Sequence, residues 1–149
     1  MDKNKIYISF ILIIIFFVFL FLISQKHNLE DIKGVKINGQ DVKVDLALTT
    51  DAQAQGLSGR SGLKTNEGMF FIFSEFGSHP FWMKDMNFSI DIIWLDEDLR
   101  IVYIKRDARP ESYPETYRSQ IPSKYVLEVV SGFADKNNLK EGDRVEFTY

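Results

Sequence analysis

Two acidic residues stand where acids are costly. Asp91 lies inside the run IDIIWLD and Glu128 inside KYVLEVV. In an extended chain Asp91 shares a face with Ile93 and Leu95, and Glu128 shares one with Val126 and Val130. A buried carboxylate must be paired or hydrogen-bonded, or it loses its charge. The first expectation is that each acid meets a cation, Arg60 or Lys84, and fixes the fold. The chemical alternative is an acid/base pair on neighbouring strands, with one pKa raised by burial or by the other charge.

Four residues are candidates for a ligand site: Arg60, Trp82, Lys84 and Asp91. Trp82, beside Lys84 and a turn, offers an indole face to a sugar ring or an apolar ligand, with Phe81 and Trp94 extending the wall. The planar fork of Arg60 suits an anion or a carboxylate partner, with Asp91 or a surface acid as the expected partner. His79, Met83 and Met86 are soft ligands suited to Cu(I), but methionine commonly fills core gaps, so no metal and no cofactor is expected.

Composition excludes other chemistries. The chain has no cysteine, which removes thiol nucleophiles, disulfides and thiolate metal sites. Its two histidines, His27 and His79, cannot make a multi-histidine site. The net charge is −3 and no basic run occurs, so nucleic acid is not an expected partner. There is no phosphate loop and no serine nucleophile elbow.

The elements that would carry these residues are short strands. In VKINGQDVKVDLAL, Val42, Val44, Leu46 and Leu48 alternate with polar or small residues, and Asn38-Gly39 is a two-residue hairpin turn. Thr50 and Gln53 fit a capping box opening a short helix that Gly56 or Gly59 ends and Leu57 pins to the sheet. The stretch Gly68–Asp96 holds three apolar runs: Met69–Phe73, Phe81–Met83 and Ile90–Leu95. An acidic turn at Asp96–Asp98 predicts a second hairpin with Arg100–Lys105, placing Ile101, Tyr103 and Lys105 on one face. Arg109–Gln120 reads as a long loop without period, the expected contact surface for an envelope protein. Strands at Lys124–Val130 and Arg144–Tyr149 flank a helical turn near Gly132–Asn138. The pattern predicts a mostly β fold, an antiparallel β-sandwich or open barrel with one short helix.

Ahead of this domain, Ile6–Ile23 is an unbroken apolar run whose only polar side chains are Tyr7 and Ser9. As a helix it would span about 27 Å, close to a bilayer core. Lys3 and Lys5 precede it and no small-residue cleavage site follows, which predicts an uncleaved transmembrane helix. The expected layout is a cytosolic N-terminus (1–5), a membrane anchor (6–23), a tether (24–33) and an extracytoplasmic domain (34–149).

The motifs GLSGR (Gly56–Arg60), GMFFIF (Gly68–Phe73), PFWMKDM (Pro80–Met86), IDIIWLD (Ile90–Asp96), KYVLEVVSG (Lys124–Gly132) and EGDRV (Glu141–Val145) run in one order along the domain. In this combination the chain resembles the prokaryotic family called domain of unknown function 192. Met86 stands where that family usually has threonine. The resemblance implies a mostly β fold, often exported behind a signal or anchor, and no established reaction. The expected role is a membrane-anchored extracytoplasmic ligand-binding or accessory module, with a small molecule or carbohydrate as the expected ligand. The alternative is an envelope-polymer hydrolase using Asp91 and Glu128.

Overall fold

The computed structural model describes residues 12–17 and 29–149. The chain divides between Asp31 and Ile32. In the first unit residues 12–17 are helical and Leu29–Asp31 form a 3-10 turn. The predicted segment 6–23 falls mostly outside the described residues, as do residues 1–5 and the first half of the tether (24–28). Among the described residues no helix is long and apolar enough to cross a membrane.

The second unit is built on one curled sheet. Its strands are β1 (Gly34–Ile37), β2 (Gln40–Ala47), β3 (Glu67–Gly77), β5 (Ile90–Leu95), β6 (Ile101–Ala108), β8 (Ser123–Val130) and β9 (Val145–Thr148). They lie in the order β6-β5-β8-β3-β2-β1-β9. A two-stranded ribbon pairs β4 (Phe81–Trp82) with β7 (Thr116–Tyr117). Two short helices follow the first hairpin and the penultimate long strand: α1 (Thr50–Gln55) and α2 (Phe133–Lys136).

The hairpin at Asn38-Gly39 forms as its sequence requires. Both residues take positive φ, 45° and 78°, which the twist of a two-residue hairpin demands. The sheet is mixed, however, where an all-antiparallel one was expected. β2 and β3 run parallel, because the connection between them carries α1 across the sheet. A single sheet also replaces the sandwich. It curls until its edges meet at one end, where Arg100 and Arg144 form an isolated antiparallel bridge. There Ile101 donates its N–H to Asp143 O (2.9 Å) and Val145 donates to Leu99 O (2.9 Å). The result is a half-barrel, mostly β with few short helices.

Two apolar clusters cover the two faces of the sheet. The inner one gathers Val35, Ile37, Val42, Phe70, Ile93, Leu95, Leu127, Val129 and Val145, closed by Phe133 and Ala134 of α2. The outer one gathers Leu57, Met69, Phe71, Met83, Ile90, Ile92, Trp94, Tyr117 and Val126 beneath α1 and the ribbon. This double cover explains why all six residues of β5 are buried. Trp94 keeps its polar atom satisfied, with Nε1 donating to His79 O at 3.0 Å.

Three local expectations change. The N-cap of α1 is Thr49, whose hydroxyl accepts from Ala52 N, and Gln53 turns to the sheet rather than back to the cap. A register shift beside Leu95 sets Leu95 opposite Ile101 but Trp94 opposite Tyr103. The extra residue, Val102, puts Ile101 in the inner cluster and Tyr103 against the outer one. Arg109–Gln120 is not a bare loop. It holds a 3-10 turn at Pro110–Ser112 and the strand β7, which buries Tyr117.

Candidate functional site

The two acids do not meet. Across β5 and β8, Asp91 stands opposite Val129 and Ile92 opposite Glu128. Opposed residues share a face, so Asp91 lies with the inner cluster and Glu128 with the outer one. The acid/base pair is therefore ruled out by register. Neither acid forms a salt bridge with Arg60 or Lys84 either.

Asp91 is 1% exposed and is satisfied by main chain alone. Ile90 pairs with Ala108 and Ile92 with Lys105, so Arg106 and Asp107 bulge opposite Asp91. Its Oδ1 accepts the N–H of Asp107 at 2.9 Å and its Oδ2 that of Ala134 at 2.8 Å. A carboxylate holding two such donors is a structural clamp between β6 and α2.

Glu128 has the opposite fate. It is 4% exposed, and its Oε2 is buried with no hydrogen-bond partner among the described residues. Burial pushes its carboxyl up to about 8, while the charge of Arg60 pulls it back down. It therefore carries a proton at neutral pH. Arg60 spends its guanidinium on Asp45, Nη1 to Oδ2 at 2.9 Å, the surface acid foreseen as one of its partners.

Glu128 lines a cavity of about 190 Å³ between α1, the GLSGR loop and the β4 turn. The apolar walls are Phe71, Phe73, Phe81 and Trp82, and the polar lining comes from Gln53, Gln55, Ser58 and His79. The ring of Phe81 stands edge-on to Phe71 (4.9 Å, 85°) and to Phe73 (6.4 Å, 90°). The Trp82 side of the wall is half exposed, and its indole meets Tyr113 edge to face at 6.3 Å.

The frame of this cavity is stitched by backbone. Ser58 Oγ donates to Lys84 O (2.8 Å), Gly59 N to Asp85 O (2.8 Å), and Asn87 Nδ2 to Arg60 O (2.9 Å). Gly56 closes α1 at φ 51° and ψ −134°, a conformation open mainly to glycine. A Cβ there would sit 3.5 Å from Phe71 and 3.7 Å from Glu128 Oε2, so the absent side chain leaves room over the acid. His79 stacks flat on Phe73, with centroids 3.6 Å apart. Burial lowers its pKa against the pull of two carbonyls, those of Ser123 (3.1 Å) and Glu75 (3.2 Å).

Of the four residues expected to bind ligand, Trp82 alone lines this cavity. Lys84 is exposed and offers its main-chain oxygen to Ser58. Arg60 faces an adjoining groove with Lys43, Asp45 and Glu67. Met83 is core, and Met86 edges the cavity. Among the described residues no group of three His, Asp or Glu side chains gathers as a metal site. What sequence reasoning missed was the companionship of Glu128 with Phe71, Phe73, Gln53 and Gly56. The signals were present in the GLSGR and GMFFIF runs, but only the strand register joins them to Glu128.

The model of the family described as an uncharacterized ACR, domain of unknown function 192, matches residues 33–147. The chain belongs to the domain of unknown function 192 family. Two solved structures resemble this family member. One is a protein of unknown function from Novosphingobium aromaticivorans DSM 12444, 31% identical, with a TM-score of 0.73, covering 80% of this chain and 89% of that one. The other, from Sinorhizobium meliloti 1021, is described as a candidate transcription regulator. It is 31% identical, with a TM-score of 0.70, and covers 72% of this chain and 83% of that one. No curated protein matches this domain of unknown function 192 chain.

Proposed function

We propose that this protein is a membrane-tethered extracytoplasmic binding module whose site is the Glu128 cavity. The observation that carries the reading is a buried carboxyl with an unpartnered oxygen at the floor of an aromatic-walled pocket. Native folds leave few such groups unpartnered, and one that lines a cavity is a candidate ligand contact. The volume is below the range of drug-sized pockets, about 300–1,000 Å³, which fits a single ring or a small head group. The half-exposed Trp82 supplies a stacking face at the mouth, as a small-molecule or carbohydrate site needs.

The tether rests on the apolar run Ile6–Ile23 with Lys3 and Lys5 before it. A net charge of −3 without a basic run argues against a nucleic-acid partner; transcription regulation is a description of the Sinorhizobium protein alone. The polypeptide around Tyr113, exposed beside Trp82, is the surface an envelope protein would share with this site.

The test is a thermal-shift screen of the full chain against sugars, amines, small acids and envelope fragments. A ligand at about 100 times its Kd should add roughly 2.7 kcal/mol. A shift that vanishes in Trp82→Ala, with the variant still folded, supports the reading. A flat response to the whole panel would sink it. Recovery of the chain in the aqueous fraction after membrane sedimentation would remove the tether.

A further inference from the structure

We infer that the Glu128 cavity takes a small protonated amine on a partly apolar carrier, with Glu128 as its counter-ion. The inference rests on the binding reading above and names its ligand class. It follows from counting donors and acceptors in the lining.

Most side-chain donors of the lining are spent on the protein itself. The Gln53 amide N–H groups go to Ala47 O (3.2 Å) and Ile72 O (2.9 Å). Gln55 Nε2 donates to Ser58 O (2.9 Å), and the Ser58 hydroxyl donates to Lys84 O. His79 Nε2 faces two carbonyl oxygens, so that nitrogen carries the proton and Nδ1 is the acceptor. What remains is mainly acceptor capacity, two amide oxygens, a hydroxyl lone pair, an imidazole nitrogen and the Glu128 carboxyl, beside three donors: the second Gln55 N–H, the Trp82 indole N–H and the proton that Glu128 carries until it ionises. No lysine or arginine lines the cavity. A cationic donor finds more partners there than a ligand that only accepts hydrogen bonds, and it alone can pair with the ionised Glu128.

The walls agree with the lining. Aromatic faces carry negative potential and attract an ammonium group, most strongly where water is excluded. The perpendicular setting of Phe81 against Phe71 and Phe73 makes a corner rather than a flat platform. Among the groups packed around the carboxyl, Met69 and Ile92 on the flanking strands are uncharged. Burial lowers the pKa of His79, and Arg60 acts only from the adjoining loop, where it is paired with Asp45.

Binding then ionises the acid. The Glu128 proton passes to buffer and the ammonium replaces it as the partner of the carboxylate. Below the raised pKa the competent, ionised form is a minor fraction, so affinity must rise with pH.

The experiment is calorimetry on the full chain with benzylammonium and with benzyl alcohol, its neutral counterpart, at pH 6, 7 and 8. Each titration is run in two buffers of different protonation enthalpy. Benzylammonium is expected to bind about tenfold tighter at pH 7 than at pH 6, releasing close to one proton. It is expected to outbind the alcohol at least tenfold at pH 8. Glu128→Gln should erase both the pH dependence and the preference. An alcohol that binds as tightly, or glucose doing so, with the signal lost in Trp82→Ala, overturns the amine inference and leaves the binding module standing. No binding by any of the three probes overturns both.

Discussion

Asp91 and Glu128 stand one residue out of step on adjacent strands, Asp91 opposite Val129 and Glu128 opposite Ile92. That single step sends one carboxylate into a cage of backbone donors and the other into an aromatic cavity with an unpartnered oxygen. The two acids look alike in the sequence and have opposite physical fates.

Glu128 should make the protein less stable as pH rises. The unfolded glutamate ionises near 4.5, whereas the folded one keeps its proton to about 8. Between those values the native state binds more protons than the unfolded state, so stability falls with pH and levels off above 8. In Glu128→Gln this slope should disappear, and the gap over wild type should widen by several kcal/mol, on the order of the shift, between pH 5 and 8. Urea unfolding across that range checks it; parallel curves for the two proteins would contradict it.

Asp91→Ala should cost far more than its single missing carboxylate suggests. It orphans the buried N–H groups of Asp107 and Ala134, each worth roughly 1–3 kcal/mol when left unsatisfied. Chemical denaturation should show a loss of about 2–5 kcal/mol. Asp91→Asn should be milder, since one oxygen still accepts.

Trp82→Ala should leave stability within about 0.5–1 kcal/mol, because half of the indole is already in water and the ring it meets is Tyr113, edge-on. The same change should abolish any ligand shift. A large drop in Tm would show that Trp82 holds the fold instead.

Arg60→Ala should act on Glu128 at a distance. The Arg60–Asp45 pair is surface-exposed and contributes no more than about 1 kcal/mol. Losing the positive charge removes the one influence that lowers the Glu128 pKa, so the titration should move upward. Carbon-detected NMR of the glutamate carboxyl would read the direction; a downward move would exclude this electrostatic link.

Gly56→Ala should destabilise by about 1–3 kcal/mol, since φ 51° with ψ −134° strains any L side chain. The added methyl would also narrow the cavity over Phe71 and Glu128, so probe binding should weaken further than the stability loss explains.

The sequence by itself determined the strands and the chemistry of their residues. Alternation drew β2, Asn38-Gly39 drew the first hairpin, and the acidic turn at Asp96 drew the second, because each of these signals is local in the chain. It also marked Glu128 and Asp91 as costly acids and membership of domain of unknown function 192 as the family. Only the tertiary structure decided which strands are neighbours, that β2 and β3 run parallel, and which face each acid takes. Strand order depends on pairings between distant segments, and a one-residue change of register moves a side chain through the sheet to the other side. Thus Asp91 came to close a bulge, while Glu128 came to floor a cavity whose walls are drawn from four separate stretches of chain.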